Sequence, residues 1–292
     1  MDFPKLVKDK VDYYLNRLNR KISAGAYHNL VLDGNGKVHA WGDNGSGQCS
    51  IPSDLPPIVV ISVGVWHSLA LDVHGKVHAW GGNKCGQLDI PIDLPKIVVI
   101  SAGNYHNLAL DADGKVHAWG DNEYGLTDIP THLPRIVAIS AGGFHNLALD
   151  VDGKVRAWGG NWNRQTDIPP DLPKIIMAIS AGDFHNLALD VNGKVHAWGV
   201  NGSGQTDIPS NLPRIVAISA GVNCSLSLDV NDKIHFWGSI ETVPTDLPKI
   251  MAISAGSFHS LALDVNGRIH AWGSNNYGQT DIPTDLNFGN IE

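Results

Sequence analysis

The sequence predicts an all-β protein, a seven-bladed β-propeller preceded by a short amphipathic helix. Three observations carry this. A Trp-Gly pair recurs at Trp41, Trp80, Trp119, Trp158, Trp198, Trp237 and Trp272, at spacings of 39, 39, 39, 40, 39 and 35 residues. Each repeat holds short apolar and β-branched runs punctuated by glycine, the pattern of strands joined by tight turns. Glycine and proline number 32 and 16 of 292 residues, a load that suits turns and disfavours helices. One small sheet cannot bury both faces alone, whereas seven arranged radially can, with Trp and Leu between neighbours. The units are nearly uniform and none is an atypical cap, so a closed ring is expected over an open solenoid.

The first element is a helix within residues 1–20, which stand apart from the propeller at 21–292. Pro4 can open it, and Val7, Val11, Tyr14, Leu15 and Leu18 fall on one stripe at helical spacing. The expected role is packing on the propeller. Its opposite face is basic, with Lys5, Lys8, Lys10, Arg17 and Arg20, which allows weak peripheral membrane contact. Each unit then opens on a β-branched run such as Ile215–Ala220, ended by Gly221. A second strand follows, such as His185–Asp190, then a turn at Val191-Asn192-Gly193 and a third strand ending at Trp198. The Asp-x-Asn-Gly-Lys connection fits a type I turn with glycine in the left-handed position. Unit six has Asp232 there, and aspartate tolerates that conformation better than most residues. The Asp-Ile-Pro segment is expected to add a weaker fourth edge.

Composition removes several function classes. The net charge is −8, so nucleic acid is a poor partner. Cys49, Cys85 and Cys224 form no C-x-x-C pair, which disfavours a disulfide framework or structural zinc and points to a reducing, cytoplasmic compartment. No apolar run reaches the ~18–20 residues of a membrane span, and the N-terminus lacks a signal-peptide core. No phosphate loop, G-x-S-x-G elbow, H-E-x-x-H or repeat-breaking carboxylate pair is present, so no covalent catalysis and no cofactor are expected.

Residues repeated in every unit build the unit, which is how we read the seven Trp-Gly pairs. His28, His67, His106, His145, His185 and His259 recur at the start of the second strand, with Cys224 in unit six. They lie in separate blades, too far apart to share one metal ion, and are expected to hydrogen-bond the adjacent loop. A second set, His39, His78, His117, His196, His235 and His270, with Arg156 in unit four, reads the same way. The Asp and Lys flanking each turn, such as Asp190 and Lys194, are expected to form a solvated ring of balanced charge worth little for stability.

Function should sit where the units differ. Two loops vary, one before the repeated histidine and one after Trp-Gly, and counting strand reversals puts both on one propeller face. That face carries Tyr27, Trp66, Tyr105, Tyr124, Phe144, Trp162, Phe184, Phe258 and Tyr277. Arg164, Asp183, Asn223 and Glu241 of the shortened unit six complete the candidate site. Aromatics and arginine rimmed by small polar residues are the composition of a protein-binding hot spot.

The unit A-G-x-x-H-x-L-A-L-D-x-x-G-K-V-x-A-W-G-x-N-x-x-G-Q resembles the repeat of the regulator-of-chromosome-condensation family over all seven units. The resemblance implies a propeller that grips a small GTPase, Ran first, as a nucleotide-exchange factor or activator. Bacterial effectors with such repeats activate Ran in the host, which would place a relative of that kind in host cytosol. No unit exceeds 40 residues, so the inserted hairpin wedge of the founding exchange factor has no counterpart. The short units ending G-Q-T-x-x-P are also similar to propeller-type β-lactamase inhibitors, which leaves enzyme inhibition or a pure interaction scaffold as alternatives. A monomer is expected in each case.

Overall fold

The computed structural model describes residues 21–239, 243–284 and 286; the helix predicted within 1–20 and Glu241 lie outside them. Twenty-one strands form seven separate three-stranded antiparallel sheets, each built from consecutive strands. These are seven blades around one axis, spanning 22–42, 58–81, 97–120, 136–159, 176–199, 215–238 and 250–273. In blade 4 the inner strand is Ile136–Ala141, the middle strand His145–Asp150 and the outer strand Val155–Gly159.

The middle strand is buried along its whole length in every blade, because a propeller sheet is packed on both faces. Its Leu-Ala-Leu pattern divides the labour. Leu108 and Leu110 of blade 3 project into a seam whose other wall is Ala148 and Trp158 of blade 4. The small alanine leaves room for the indole, so one blade's large residues meet its neighbour's alanine and tryptophan. Seven seams of this kind form the core, with Val31 and Ser227 in the alanine position of blades 1 and 6.

The fourth edge expected at Asp-Ile-Pro is not a strand. Prolines there lack an N–H for a ladder, and the segment bonds to itself, Ile168 N–H to Thr166 O at 3.1 Å and Leu172 N–H to Pro169 O at 3.1 Å. It serves instead as a strap. Ile168 and Leu172 cover the seam between blades 4 and 5. The strap also supplies an acceptor to the next blade: the Gln165 carbonyl receives Asn186 Nδ2 at 2.8 Å and Trp198 Nε1 at 3.1 Å.

Closure repeats the same bonds between blades 7 and 1. Trp41 Nε1 donates to the Gln279 carbonyl at 2.9 Å, and Ala24 N–H donates to Ser254 Oγ at 2.9 Å. Leu286 of the last strap packs with Ile22 and Trp41. At the axis the glycine of each Ala-Gly sits against its neighbour's carbonyl. A Cβ on Gly142 would lie 2.5 Å from Gly182 O, and the contacts run on through Gly221 and Gly256 back to Gly25.

The ring of turn charges differs from the expectation. Asp72, Asp111, Asp190, Asp229 and Asp264 are buried and pair with the second histidine set, and buried Asp150 pairs with Arg156, rather than lying solvated beside lysine. Asp72 Oδ1 accepts the His74 and Lys76 amides, at 2.8 and 3.0 Å, and Oδ2 meets His78 Nε2 at 2.9 Å. Burial alone would raise the Asp72 carboxyl, but these three bonds outweigh it and hold the pKa below the usual range. The turn lysines stay exposed. Asp232 does take the left-handed conformation, φ +65°.

Candidate protein-binding face

The repeated histidines bond across the blade seam and not to the adjacent loop. His106 Nε2 lies 2.7 Å from Asn146 Oδ1, and Asn146 Nδ2 donates to the Leu126 carbonyl at 2.9 Å. Because the amide nitrogen is committed as donor, its oxygen accepts and His106 carries its hydrogen on Nε2. Nδ1 is then a buried lone pair without a partner among the described residues, as in His28, His67, His145, His185 and His259. Burial holds His106 at about 4, mostly against the pull of the Asn146 bond, so the ring is neutral. Ser68 and Ser225 replace asparagine in blades 2 and 6 and make the same two bonds. Asn146→Ala should therefore cost about 2 kcal/mol by leaving the His106 N–H buried and unpaired, while the Leu126 carbonyl keeps Trp158 Nε1. Asn146→Ser should recover about half of that in a urea melt, and equal losses would mean the amide's shape matters more than its bonds.

These seams hold the two variable loops at one end of the ring. Two aromatic groups stand on either side of the axis. Tyr27 meets Trp66, Tyr277 and Phe258 at ring distances of 5.0, 5.1 and 5.8 Å, uniting blades 7, 1 and 2. Trp162 meets Tyr124 at 4.5 Å and Phe144 at 5.8 Å, and Phe144 stacks on Phe184 at 5.2 Å, uniting blades 3, 4 and 5. Loops from before the histidine and after Trp-Gly interleave in both groups. Trp162, Tyr277, Phe258 and Tyr124 are exposed, whereas Tyr27, Trp66, Tyr105, Phe144 and Phe184 are half-buried. Asn223 of blade 6, also half-buried, interrupts the aromatic ring with a polar side chain.

Between the groups opens the axial cavity, about 100 Å³, lined by the Ala-Gly ends of the inner strands. Small-molecule sites are several times larger, about 300–1,000 Å³. At its mouth Asn104 Nδ2 donates to Asp183 Oδ2 at 3.1 Å, linking blades 3 and 5. The bond passes over Gly143 of blade 4, where a Cβ would lie 2.7 Å from Asp183 Cγ and 2.8 Å from Asn104 Nδ2. Burial pushes the Asp183 carboxyl up to about 6, with the Asn104 bond pulling the other way. Among the described residues no group of three or more His, Cys, Asp or Glu could hold a metal ion, and no helix is long and apolar enough to cross a membrane.

The model of the regulator of chromosome condensation (RCC1) repeat matches residues 20–48, 58–87, 97–126, 136–165, 177–205 and 251–279. The chain belongs to the RCC1 repeat family. No curated protein matches it. Among solved structures it is similar to the ectodomain of the receptor kinase CR4 from Physcomitrella patens, with TM-score 0.75, 20% identity, and 87% of this chain and 73% of that one covered. The CRINKLY ectodomain of Arabidopsis thaliana ACR4 gives TM-score 0.73 at 21% identity, covering 86% and 95%. Prp20p from Saccharomyces cerevisiae, described with its binding properties to Gsp1p and histones, gives 0.60 at 24%, covering 92% and 75%. At these identities the likeness shows the fold.

The one RCC1 repeat outside the family match is unit six. Cys224 replaces its histidine, and its Asn-x-x-Gly-Gln strap is missing. Trp272 of blade 7, whose counterparts take their acceptor from the preceding strap, has no partner for Nε1 among the described residues. Two features of the face escaped the sequence reading. The Asn104–Asp183 bridge joins positions 79 residues apart, and its signal was the extra glycine at 143. The other is the backbone of Arg164, at φ +59°, where Gly47, Gly86, Gly125, Gly204 and Gly278 lie between +70° and +81°. Its signal was arginine in the glycine position of N-x-x-G-Q.

Proposed function

We propose that this RCC1-repeat propeller binds a protein through the loop face, and that the partner is a small GTPase, Ran first, whose nucleotide exchange it promotes. The observation that carries the reading is the pair of aromatic groups flanking the axis, with rings left exposed that the core does not require. Support for the GTPase comes from the family, whose founding member acts on Ran. Exchange needs no covalent chemistry. A propeller that holds nucleotide-free Ran more tightly than loaded Ran weakens nucleotide binding by the same factor. A cytosolic location goes with this reading, in a host cell for an effector.

The test is release of a fluorescent GDP analogue from Ran with the protein at micromolar concentration. Acceleration of about tenfold or more is expected, and Trp162→Ala should remove most of it, at about 1–3 kcal/mol of binding. Unchanged release would reject Ran as the partner.

A further inference from the structure

The loop of blade 4 breaks its repeat in a way that folding does not explain. A non-glycine residue in the left-handed region carries a conformational cost, and such outliers persist where something else selects them. Arg164 bears that cost where the five counterparts use glycine. Its guanidinium gains nothing in return within the described residues, since it makes no hydrogen bond or ion pair there and is exposed. Two residues away, Trp162 is 52% exposed yet held in place. Its ring lies over Gly160, where a Cβ would come within 2.6 Å of Cη2, and its edge packs on Tyr124. A pinned aromatic beside an unpaired cation is prepared for one contact, because little freedom remains to be lost on binding.

The surrounding charge restricts what that contact can be. The variable loops carry Asp43, Asp89, Asp121, Asp167, Asp207 and Asp281 among their acids, against two cations, Lys84 and Arg164, among the described residues. A polyanion such as nucleic acid or an anionic membrane would be repelled across most of this face. A single carboxylate on an otherwise non-acidic surface would not.

We propose that Trp162 and Arg164 anchor the loop face by receiving one Asp or Glu side chain of a partner protein, carried beside an apolar residue that packs on the indole. The planar guanidinium takes the carboxylate by paired hydrogen bonds. This rests on the loop face being a protein-binding surface, and it predicts which chemistry that surface selects.

The test uses a displayed library of random peptides, selected separately on the wild-type protein, Arg164→Gly and Trp162→Ala. The wild type should enrich peptides with Asp or Glu next to an apolar residue. A synthetic copy of the leading peptide should bind Arg164→Gly at least about tenfold more weakly. The same variant should melt about 1–3 °C higher, because glycine relieves the backbone. Equal binding to Arg164→Gly, enrichment of basic peptides, no enrichment at all, or a lower melting temperature would each overturn the proposal. Ran takes no part in this experiment, so failure of the exchange reading and failure of the anchor register separately.

Discussion

Lowering the pH from 7 to 5 is expected to unfold the propeller. Six buried histidines are held far below the usual 6.5, chiefly by burial: His28 at about 3, and His67, His106, His145, His185 and His259 at about 4. In the unfolded chain each would take up a proton near 6.5. Between about 4 and 6.5 the unfolded state therefore binds more protons, so stability rises with pH across that window and is lost as pH falls through it. Each ring contributes on the order of 2 kcal/mol of this loss at pH 5. Six together rival the whole stability of a typical domain, about 5–15 kcal/mol. The buried aspartates such as Asp72 act later. Their pKa is depressed, so their contribution is kept above the unfolded value of 3.8 and is lost only below it. Urea melts at pH 8, 7, 6 and 5 should show a plateau above 7 and a steep fall below 6.5. Constant stability down to pH 4.5 would mean that the six rings accept protons in place.

Gly142→Ala is expected to cost about 3 kcal/mol or more. The added methyl would stand 2.5 Å from Gly182 O and 2.7 Å from His145 Cε1, and neither atom can yield. One is backbone of the next blade, already crowded around the axis. The other belongs to a ring fixed by its 2.6 Å bond to Asn186. Gly34→Ala is the control, since nothing lies within 4 Å of its Cβ and its φ is not positive. Comparable melting temperatures for the two variants would show that the axial ring is loose enough to absorb a methyl.

Strands, turns and their number are local matters. The Leu-Ala-Leu run, the left-handed glycine before lysine and the Trp-Gly stop repeat in register, so the blades and their closure into seven could be read from spacing alone. The aromatic residues of the variable loops were legible for the same reason, as departures from a repeat. Partners were not. The histidine's acceptor is the asparagine or serine one blade on, such as Asn146 for His106, about forty positions away. The aspartate's partner is the histidine six positions on in the same hairpin, as His78 for Asp72, not the lysine beside it. The strap gives its carbonyl to a neighbour's tryptophan instead of extending its own sheet. Sequence alone determined the period, the fold and the face on which the units vary. Only the tertiary structure decided which polar groups meet across the seams, because radial packing sets those distances and the order of residues within one unit does not contain them.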